Sequence, residues 1–401
     1  MKSRVRALLF AGDRQFVTLR GLSMFGALVF ALVYSKQLGV ERRGLLTFVM
    51  MTNLVFTILL ISGISLHLRN TSRKQEGHEN LGTYLSVVSF LSLITPVLNW
   101  IVLKTYQEFT GKNIPNNLLY VCVLYCFFAT LSYGLHDALL LIKSLKIASV
   151  MDLGVVVLQI LGYVTLLYSG ETSYFVSILI SISVSYLVMA VSTVVLLVYV
   201  YNPKLGLSRA SLKKLFLDSS TPTLVNMTNQ LLERVDKVFI GIQTSAPELA
   251  RFSTSQSILG TSRFLFDALA KLSIARDRNF LISNKPAFIR YAALIVIGLL
   301  LALGANQLVN SFLGSEWNLS FLLIFAVGSL EILKGVYSLV VMNSVRSNNY
   351  IQLKRASVAQ LTVGLILQPT AIHFFGLWGS IISTFLIISI GFGVLKKSPN
   401  E

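Results

Sequence analysis

The chain has 401 residues, of which 54% are hydrophobic and 13% charged, and its mean hydropathy is +0.71. A soluble protein of this length could not bury so much apolar surface, so the composition predicts an all-α polytopic membrane protein. The net charge of +17 would suit nucleic acid, but the basic residues lie mainly in short loops, where they act as a topology signal. Nucleic acid is therefore excluded as a partner.

About twelve apolar segments of transmembrane length follow one another, and they leave no room for an extra soluble domain. In the first half these segments are Gln15–Lys36, Gly44–Leu66, Leu81–Leu103, Asn117–Leu141, Ile147–Tyr168 and Tyr174–Tyr201. In the second half they are Phe216–Ile242, Glu248–Leu272, Phe288–Phe312, Leu319–Met342, Ser357–Phe375 and Leu377–Leu395. Lysine and arginine concentrate in alternate loops, so we expect both termini in the cytoplasm and few charges outside, such as Arg42 and Arg43.

A short repeated sequence indicates that the chain consists of two related halves. Lys146–Val150 reads KIASV and Lys354–Val358 reads KRASV, and each stretch precedes or opens a predicted outward-going helix. An even number of spans in each half predicts parallel repeats. We therefore expect an N-terminal six-helix bundle over residues 1–203, a cytoplasmic linker over 204–214 and a C-terminal six-helix bundle over 215–401.

The seventh segment is unusually polar for its apolar surroundings. It contains Pro222, several amides and four charged residues, which are Glu233, Arg234, Asp236 and Lys237. Ionisable groups at membrane depth usually face a polar interior, and the carbonyl groups that a proline leaves free need a wet environment. This segment is therefore predicted to line a water-filled cavity.

Helical spacing separates the charges that have a local partner from those that do not. Pairs three or four positions apart are predicted for Glu233 with Lys237, Glu248 with Arg251, Glu331 with Lys334, and Asp267 with both Arg263 and Lys271. Arg20, Arg234, Asp152 and Asp236 have no such neighbour, so each needs a partner on another helix, in water or in a ligand. For Arg20, near the inner end of its span, snorkelling to the membrane surface is an open alternative.

The arginines within the spans suit an anionic ligand. A guanidinium group donates two parallel hydrogen bonds to phosphate. Arg20, Arg234 and Arg263 are therefore candidates for a cationic, substrate-binding lumen. The acidic residues Asp152, Asp236 and Asp267 are candidates for ion coupling or for interhelical pairing.

Enzyme chemistry is not indicated by the sequence. The four histidines, His67, His78, His136 and His373, are scattered without metal-ligand spacing or a nucleophile beside them. There is no glycine-rich phosphate loop after a strand. We therefore expect no metal site, no catalytic residues and no enzymatic activity.

Two stretches carry a family resemblance. Leu232–Gly241 reads LERVDKVFIG and is followed by Ala250–Ser253, ARFS, while Leu38–Leu46 reads LGVERRGLL. These stretches resemble the seventh-to-eighth and first-to-second helix junctions of Wzx-type polysaccharide flippases, members of the multidrug/oligosaccharidyl-lipid/polysaccharide exporter (MOP) superfamily. Asp236 and Lys237 match the motif, and Lys237 thereby joins the candidate lumen residues.

The resemblance implies a MATE-like fold, with two six-helix bundles around a central cavity. It implies alternating access that moves an undecaprenyl-diphosphate-linked oligosaccharide, an O-antigen, capsule or exopolysaccharide unit, from the inner to the outer leaflet of the bacterial inner membrane. The implied partners are this lipid-linked oligosaccharide, membrane lipids and polysaccharide polymerase or assembly proteins. No cofactor is implied, and coupling to H⁺ or Na⁺ is left open.

Three alternatives remain at this point. A multidrug or cation antiporter of the same superfamily would need unpaired carboxylates in a weakly charged lumen, whereas basic residues outnumber acidic ones within these spans. A membrane-embedded polysaccharide polymerase or ligase would need a sizeable outer loop, and the longest outer connection, Lys104 to Pro115, is short. A scaffold that transports nothing would have little reason to retain unpaired charges.

Overall fold

The protein is described by a computed structural model over residues 2–71, 77–111, 116–141, 145–169, 173–201, 224–225, 227–228, 231, 234–263, 266, 296, 300, 304, 307, 311–347 and 349–396. The regular structure in these ranges is helical, which confirms the all-α prediction. Eight helical stretches among them are long and apolar enough to cross a membrane. The chain is therefore a multi-pass membrane protein, and the total of about twelve spans stays a prediction.

The first of two compact units comprises Met1–Phe30 and Val49–Leu231. Its helices are most of α1 (Lys2–Thr71) together with α2 (Gly77–Thr110), α3 (Asn116–Leu141), α4 (Leu145–Ser169) and α5 (Tyr174–Tyr201). Helix α3 packs against α2 and α5, and α4 packs against α5. In a bilayer a helix satisfies its backbone groups internally, which is why these apolar runs form long, regular helices.

Helix α1 contains two helices that meet at Gly39. This glycine has a φ of +70°, a left-handed conformation that other residues rarely adopt. Arg43, just after the break, is 5% exposed, and its Nε donates to Ser35 Oγ at 3.0 Å while its Nη1 donates to Thr47 Oγ1 at 2.6 Å. Arg43 therefore joins residues on either side of Gly39, and it is buried within α1 instead of lying in the outer loop predicted for it.

A chain of threonine hydroxyls crosses the core of the first unit. Thr95 Oγ1 lies 3.0 Å from Thr130 Oγ1, which lies 2.8 Å from Thr57 Oγ1, and Thr57 donates to the backbone carbonyl of Asn53 at 3.0 Å. All three threonines are buried and stand on α2, α3 and α1 respectively. Interhelical hydrogen bonds of this kind hold helices together where water is absent.

The second compact unit comprises Ala31–Phe48 and Leu232–Glu401. Its further helices are α6 (Val235–Gln243), α7 (Ala246–Leu259), α8 (Phe321–Arg346), α9 (Tyr350–Phe375) and α10 (Leu377–Lys396), with 3₁₀ turns at Gly260–Arg263 and Ser315–Trp317. Helix α9 packs along α10, α8 packs against α7 and α10, and α6 packs against α7, α9 and α10.

Capping and small residues explain where these helices begin and how closely they approach. The Ser245 hydroxyl accepts from the Glu248 N–H at the start of α7, and the Ser320 hydroxyl accepts from the Leu323 N–H at the start of α8. A Cβ at Gly44 would overlap the backbone carbonyl of Ala246, so only glycine permits this contact between the Ala31–Phe48 segment and α7.

The second half is described less completely than the first. The predicted span Phe216–Ile242 is described without gaps only from Arg234 onward. Most of the predicted span Phe288–Phe312 lies outside the described residues. The predicted linker, residues 204–214, also lies outside them. The last three predicted spans correspond to α8, α9 and α10.

Candidate functional site

A carboxylate with two basic neighbours lies within the first unit. Arg20 Nη1 on α1 donates to Asp152 Oδ2 on α4 at 2.7 Å, and the side chains are 21% and 19% exposed. His136 Nε2 on α3 lies 2.9 Å from Asp152 Oδ1, within ion-pair distance, although the ring is not oriented for a hydrogen bond. The structure thus gives Arg20 a partner on another helix.

Small and aromatic residues set the distance between α1 and α4 at this pair. A Cβ at Gly26 would come within 2.9 Å of Val156 Cγ1, so glycine allows the two helices to approach. Further along, the rings of Phe30 and Tyr163 meet edge to face at 5.7 Å between centroids. This packing places the carboxylate of Asp152 within reach of a long arginine side chain.

A second charge cluster lies in the second unit and is centred on Glu331 of α8. Glu331 Oε1 accepts from Lys334 Nζ at 2.8 Å and from Gln256 Nε2 of α7 at 2.7 Å. Its other oxygen, Oε2, lies 4.0 Å from Arg263 Nη1 in the 3₁₀ turn after α7. Glu331, Lys334 and Gln256 are all buried. One carboxylate therefore faces two cations and an amide donor.

Asp236 lies next to this cluster and is fully buried. Its Oδ1 accepts from the backbone N–H of Lys237 at 2.7 Å, and its Oδ2 accepts from the Ser380 hydroxyl of α10 at 3.1 Å. The ammonium groups of Lys237 and Lys334 are near enough to interact electrostatically with its carboxylate. Asp236 thus compensates part of the positive charge in the second unit.

Arg234 stands immediately before α6 and is the cap residue of that helix. Its carbonyl accepts from the Lys237 and Val238 N–H groups, while its buried Nε has no hydrogen-bond partner among the described residues. A buried guanidinium nitrogen without an acceptor is costly, so a ligand oxygen would satisfy it. This geometry supports Arg234 as a candidate for binding an anion.

The charges of the second unit together favour an anionic ligand. Among its described residues, four cations, Arg234, Lys237, Arg263 and Lys334, accompany the two buried carboxylates, Asp236 and Glu331; Lys334 is buried and the other three cations are partly buried. Cations that outnumber the carboxylates beside them attract phosphate or carboxylate groups, and arginine binds such groups in a bidentate manner.

The structure adds to the residues that the sequence singled out. The predicted local pair Glu331–Lys334 is confirmed, but its position at the centre of a cluster was missed, as were Gln256 and His136. Spacing along one helix carries no signal for contacts between helices. Asp267, a candidate for ion coupling, and Glu233 lie outside the described residues.

Comparison with known sequences gives a family match. A profile of the family described as polysaccharide biosynthesis protein matches residues 37–322, which is well over half of the chain. No match is found among curated protein sequences. The matched range begins before the Gly39 break and ends within α8, so it includes α6, α7 and Arg263 but not Glu331.

Comparison with solved structures identifies the fold. A structure titled lipid II flippase MurJ, inward closed conformation, aligns with a TM-score of 0.66 at 14% identity and covers 95% of this chain and 86% of that one. A mutant of the Vibrio cholerae MATE transporter VcmN aligns with a TM-score of 0.68 at 13% identity and covers 98% and 97%. A MOP superfamily transporter from Pyrococcus furiosus aligns with a TM-score of 0.54 at 14% identity, and the alignment covers 96% of each chain. These likenesses show a MATE- and MurJ-like fold.

Proposed function

The chain belongs to the polysaccharide biosynthesis protein family, and on that basis we propose that it is a Wzx-type flippase. Its substrate is an undecaprenyl-diphosphate-linked oligosaccharide, which it moves from the inner to the outer leaflet of the bacterial inner membrane by alternating access. Both termini lie in the cytoplasm, and the two six-helix bundles, residues 1–203 and 215–401, are joined by the linker 204–214. No covalent chemistry is part of this function.

One observation carries the proposal, which is that four buried or partly buried cations accompany the two buried carboxylates Asp236 and Glu331 in the described part of the second unit. Glu331 and Asp236 are buried beside Lys334, and Arg263 lies 4.0 Å from Glu331. A diphosphate head and its sugars cannot cross hydrocarbon unaided, because they would lose their hydration without replacement. Fixed cations and amide donors replace that hydration for the charged part of the substrate.

The membrane potential supports the direction of transport. With the cytoplasm negative, outward movement of an anion is favoured by about 2.3 kcal/mol per charge for each 100 mV. Coupling to inward H⁺ or Na⁺ would add to this driving force, and Asp152 and Asp236 are the described carboxylates proposed to carry it. The proposed partners are the lipid-linked oligosaccharide, membrane lipids and the polymerase or assembly proteins of the same polysaccharide.

A multidrug or cation antiporter is the second candidate, because the fold is also that of MATE transporters. An organic cation would be repelled by Arg234, Lys237 and Arg263. The two candidates therefore differ in the charge of the ligand. Protection of cells against cationic dyes, with normal polysaccharide delivery after loss of the protein, would favour the antiporter.

The test of the proposal uses Arg234→Ala and Arg234→Lys in a strain that lacks the endogenous protein, with surface polysaccharide as the readout. We expect Arg234→Ala to abolish delivery and Arg234→Lys to retain part of it, since lysine keeps the charge and loses the bidentate geometry. The control is Arg355→Ala on the exposed face of α9, which should deliver normally. Normal delivery by both Arg234 variants, at wild-type membrane levels, would overturn the proposed anion site.

A further inference from the structure

Two hydrogen-bond donors and one further cation from two parts of the second unit surround the carboxylate of Glu331. Lys334 Nζ and Gln256 Nε2 bond to the same oxygen, Oε1, at 2.8 and 2.7 Å. Turning the amide of Gln256 would place its own oxygen against Oε1, so the amide has one favourable orientation. Convergent cationic and amide donors of this kind form a receptor for an oxyanion, and here the oxyanion is a side chain of the protein.

The carboxylate of Glu331 makes an ion pair with Arg263 but no hydrogen bond to it. The distance of 4.0 Å between Arg263 Nη1 and Glu331 Oε2 is an ion-pair distance but is too long for a hydrogen bond. The opposite charges attract, yet the bidentate geometry that arginine forms with carboxylate or phosphate is not made with Glu331. Lys334 and Arg263 together carry one more positive charge than the Glu331 carboxylate neutralises.

We propose that Glu331 is an exchangeable internal counterion that occupies the position of a substrate phosphate. This inference rests on the proposed function and deepens it. In the absence of substrate, the carboxylate holds Lys334 and Arg263 together in a buried place where unpaired cations would be costly. A phosphate of the lipid-linked diphosphate takes over these cations and the Gln256 amide, while the Glu331 carboxylate moves aside.

The exchange accounts for both binding and release. A phosphate with more negative charge and more acceptor oxygens than a carboxylate competes well for the two cations. Because Glu331 remains attached nearby, it competes with the bound phosphate and returns to the cations when the substrate leaves. A neutral headgroup cannot displace it, so Glu331 also selects for the diphosphate.

The test measures binding of a short-chain polyprenyl diphosphate to purified, full-length protein in detergent. Glu331→Gln removes the competing charge, and we expect a Kd about tenfold lower than wild type, because the phosphate no longer has to displace a like charge from the two cations. The affinity for the corresponding polyprenyl monophosphate should increase less. The matched control is Glu316→Gln, which makes the same charge change at an exposed residue and should leave the Kd unchanged.

A second variant keeps the test decisive if Glu331→Gln does not fold. Glu331→Asp retains the charge but shortens the side chain by one methylene, which weakens its contact with Lys334. We expect this variant also to bind the diphosphate more tightly than wild type. Delivery of surface polysaccharide by either variant should be slower, because the internal competitor that promotes release is absent or weakened.

The outcomes distinguish the inference from the function on which it rests. If wild type binds the diphosphate and folded Glu331 variants bind it equally or less well, the counterion exchange is wrong and the flippase proposal stands. If neither wild type nor the variants bind the diphosphate, the proposed substrate class is wrong, and the inference fails with it. If Glu316→Gln tightens binding as much as Glu331→Gln, the effect is one of net charge and overturns the specific role of Glu331.

Discussion

Arg20 and Asp152 stand 132 positions apart in the sequence, and Arg20 Nη1 donates to Asp152 Oδ2 at 2.7 Å. The contact joins α1 to α4 and decides between the two interpretations of Arg20 that its sequence position allows. Arg20 pairs with an acidic residue on another helix. His136 approaches the other oxygen of the same carboxylate, so Asp152 holds two basic side chains.

We predict that loss of both partners of this pair destabilises the protein less than the sum of the two single losses. Arg20→Ala and Asp152→Ala should each lower the free energy of unfolding by about 1–3 kcal/mol, less than for a fully buried pair because both groups are partly exposed. The double variant should cost less than the sum of the single variants. Thermal unfolding of the purified protein in detergent measures all three. Additive losses would show that the two residues do not interact.

The glycine at position 44 should be intolerant of any side chain. Gly44→Ala places a methyl group against the Ala246 carbonyl, and the helices must separate, at a cost of about 1–3 kcal/mol. Gly393→Ala in α10 is the control, since a Cβ there meets nothing within 4 Å. Melting temperatures of the two variants test this prediction. An equal melting temperature for Gly44→Ala and wild type would contradict the close contact.

The buried carboxylate of Asp236 should matter more than its hydrogen bond to Ser380. Ser380→Ala removes one neutral donor and should cost about 1 kcal/mol. Asp236→Asn removes the negative charge that faces Lys237 and Lys334, so we expect a larger loss of stability and of polysaccharide delivery. The free energy of unfolding in detergent and the delivery of surface polysaccharide are measured for both variants. A stabilising Asp236→Asn would contradict the favourable interaction of this carboxylate with the two lysines.

The hydrogen-bonded threonines of the first unit predict that loss of the central hydroxyl, that of Thr130, lowers the stability of the protein. Thr130→Val keeps the shape of the side chain but removes the hydroxyl that links Thr95 to Thr57. We expect a loss of about 0.6–2 kcal/mol, which spans the values for interhelical hydrogen bonds in membrane proteins and in model peptides. Thr165→Val, whose hydroxyl bonds within its own helix on an exposed face, should change stability less. Equal effects of the two substitutions would argue against a special role for the chain.

Much of the helix pattern could be predicted because it depends on local composition. The predicted span Tyr174–Tyr201 has the same bounds as α5, and the predicted span Leu377–Leu395 ends one residue before α10 does. The pair Glu331–Lys334 was likewise visible in the sequence, because residues three apart on a helix are neighbours whatever the rest of the fold does.

Contacts between helices could not be predicted in this way. Arg251 was expected to pair with Glu248, but its Nε donates to the backbone carbonyl of Glu316 at 2.7 Å, 65 positions away. His136 looked isolated because its neighbour Asp152 is on the next helix. The sequence places Arg43 among the outer loop charges, because nothing in it shows that Ser35 and Thr47 contact this side chain across a helix break.

The break at Gly39 has a consequence for how the protein enters the membrane. The apolar helical stretch Thr18–Ile61 has 44 residues, which in one straight helix would measure about 66 Å, roughly twice the hydrocarbon thickness of a bilayer. The break at Gly39 divides this length into two crossings that the insertion machinery can place separately. If the stretch were inserted as one crossing, every later loop would emerge on the opposite face. The sidedness of all later loops therefore depends on this break as well as on the lysine and arginine residues of the loops.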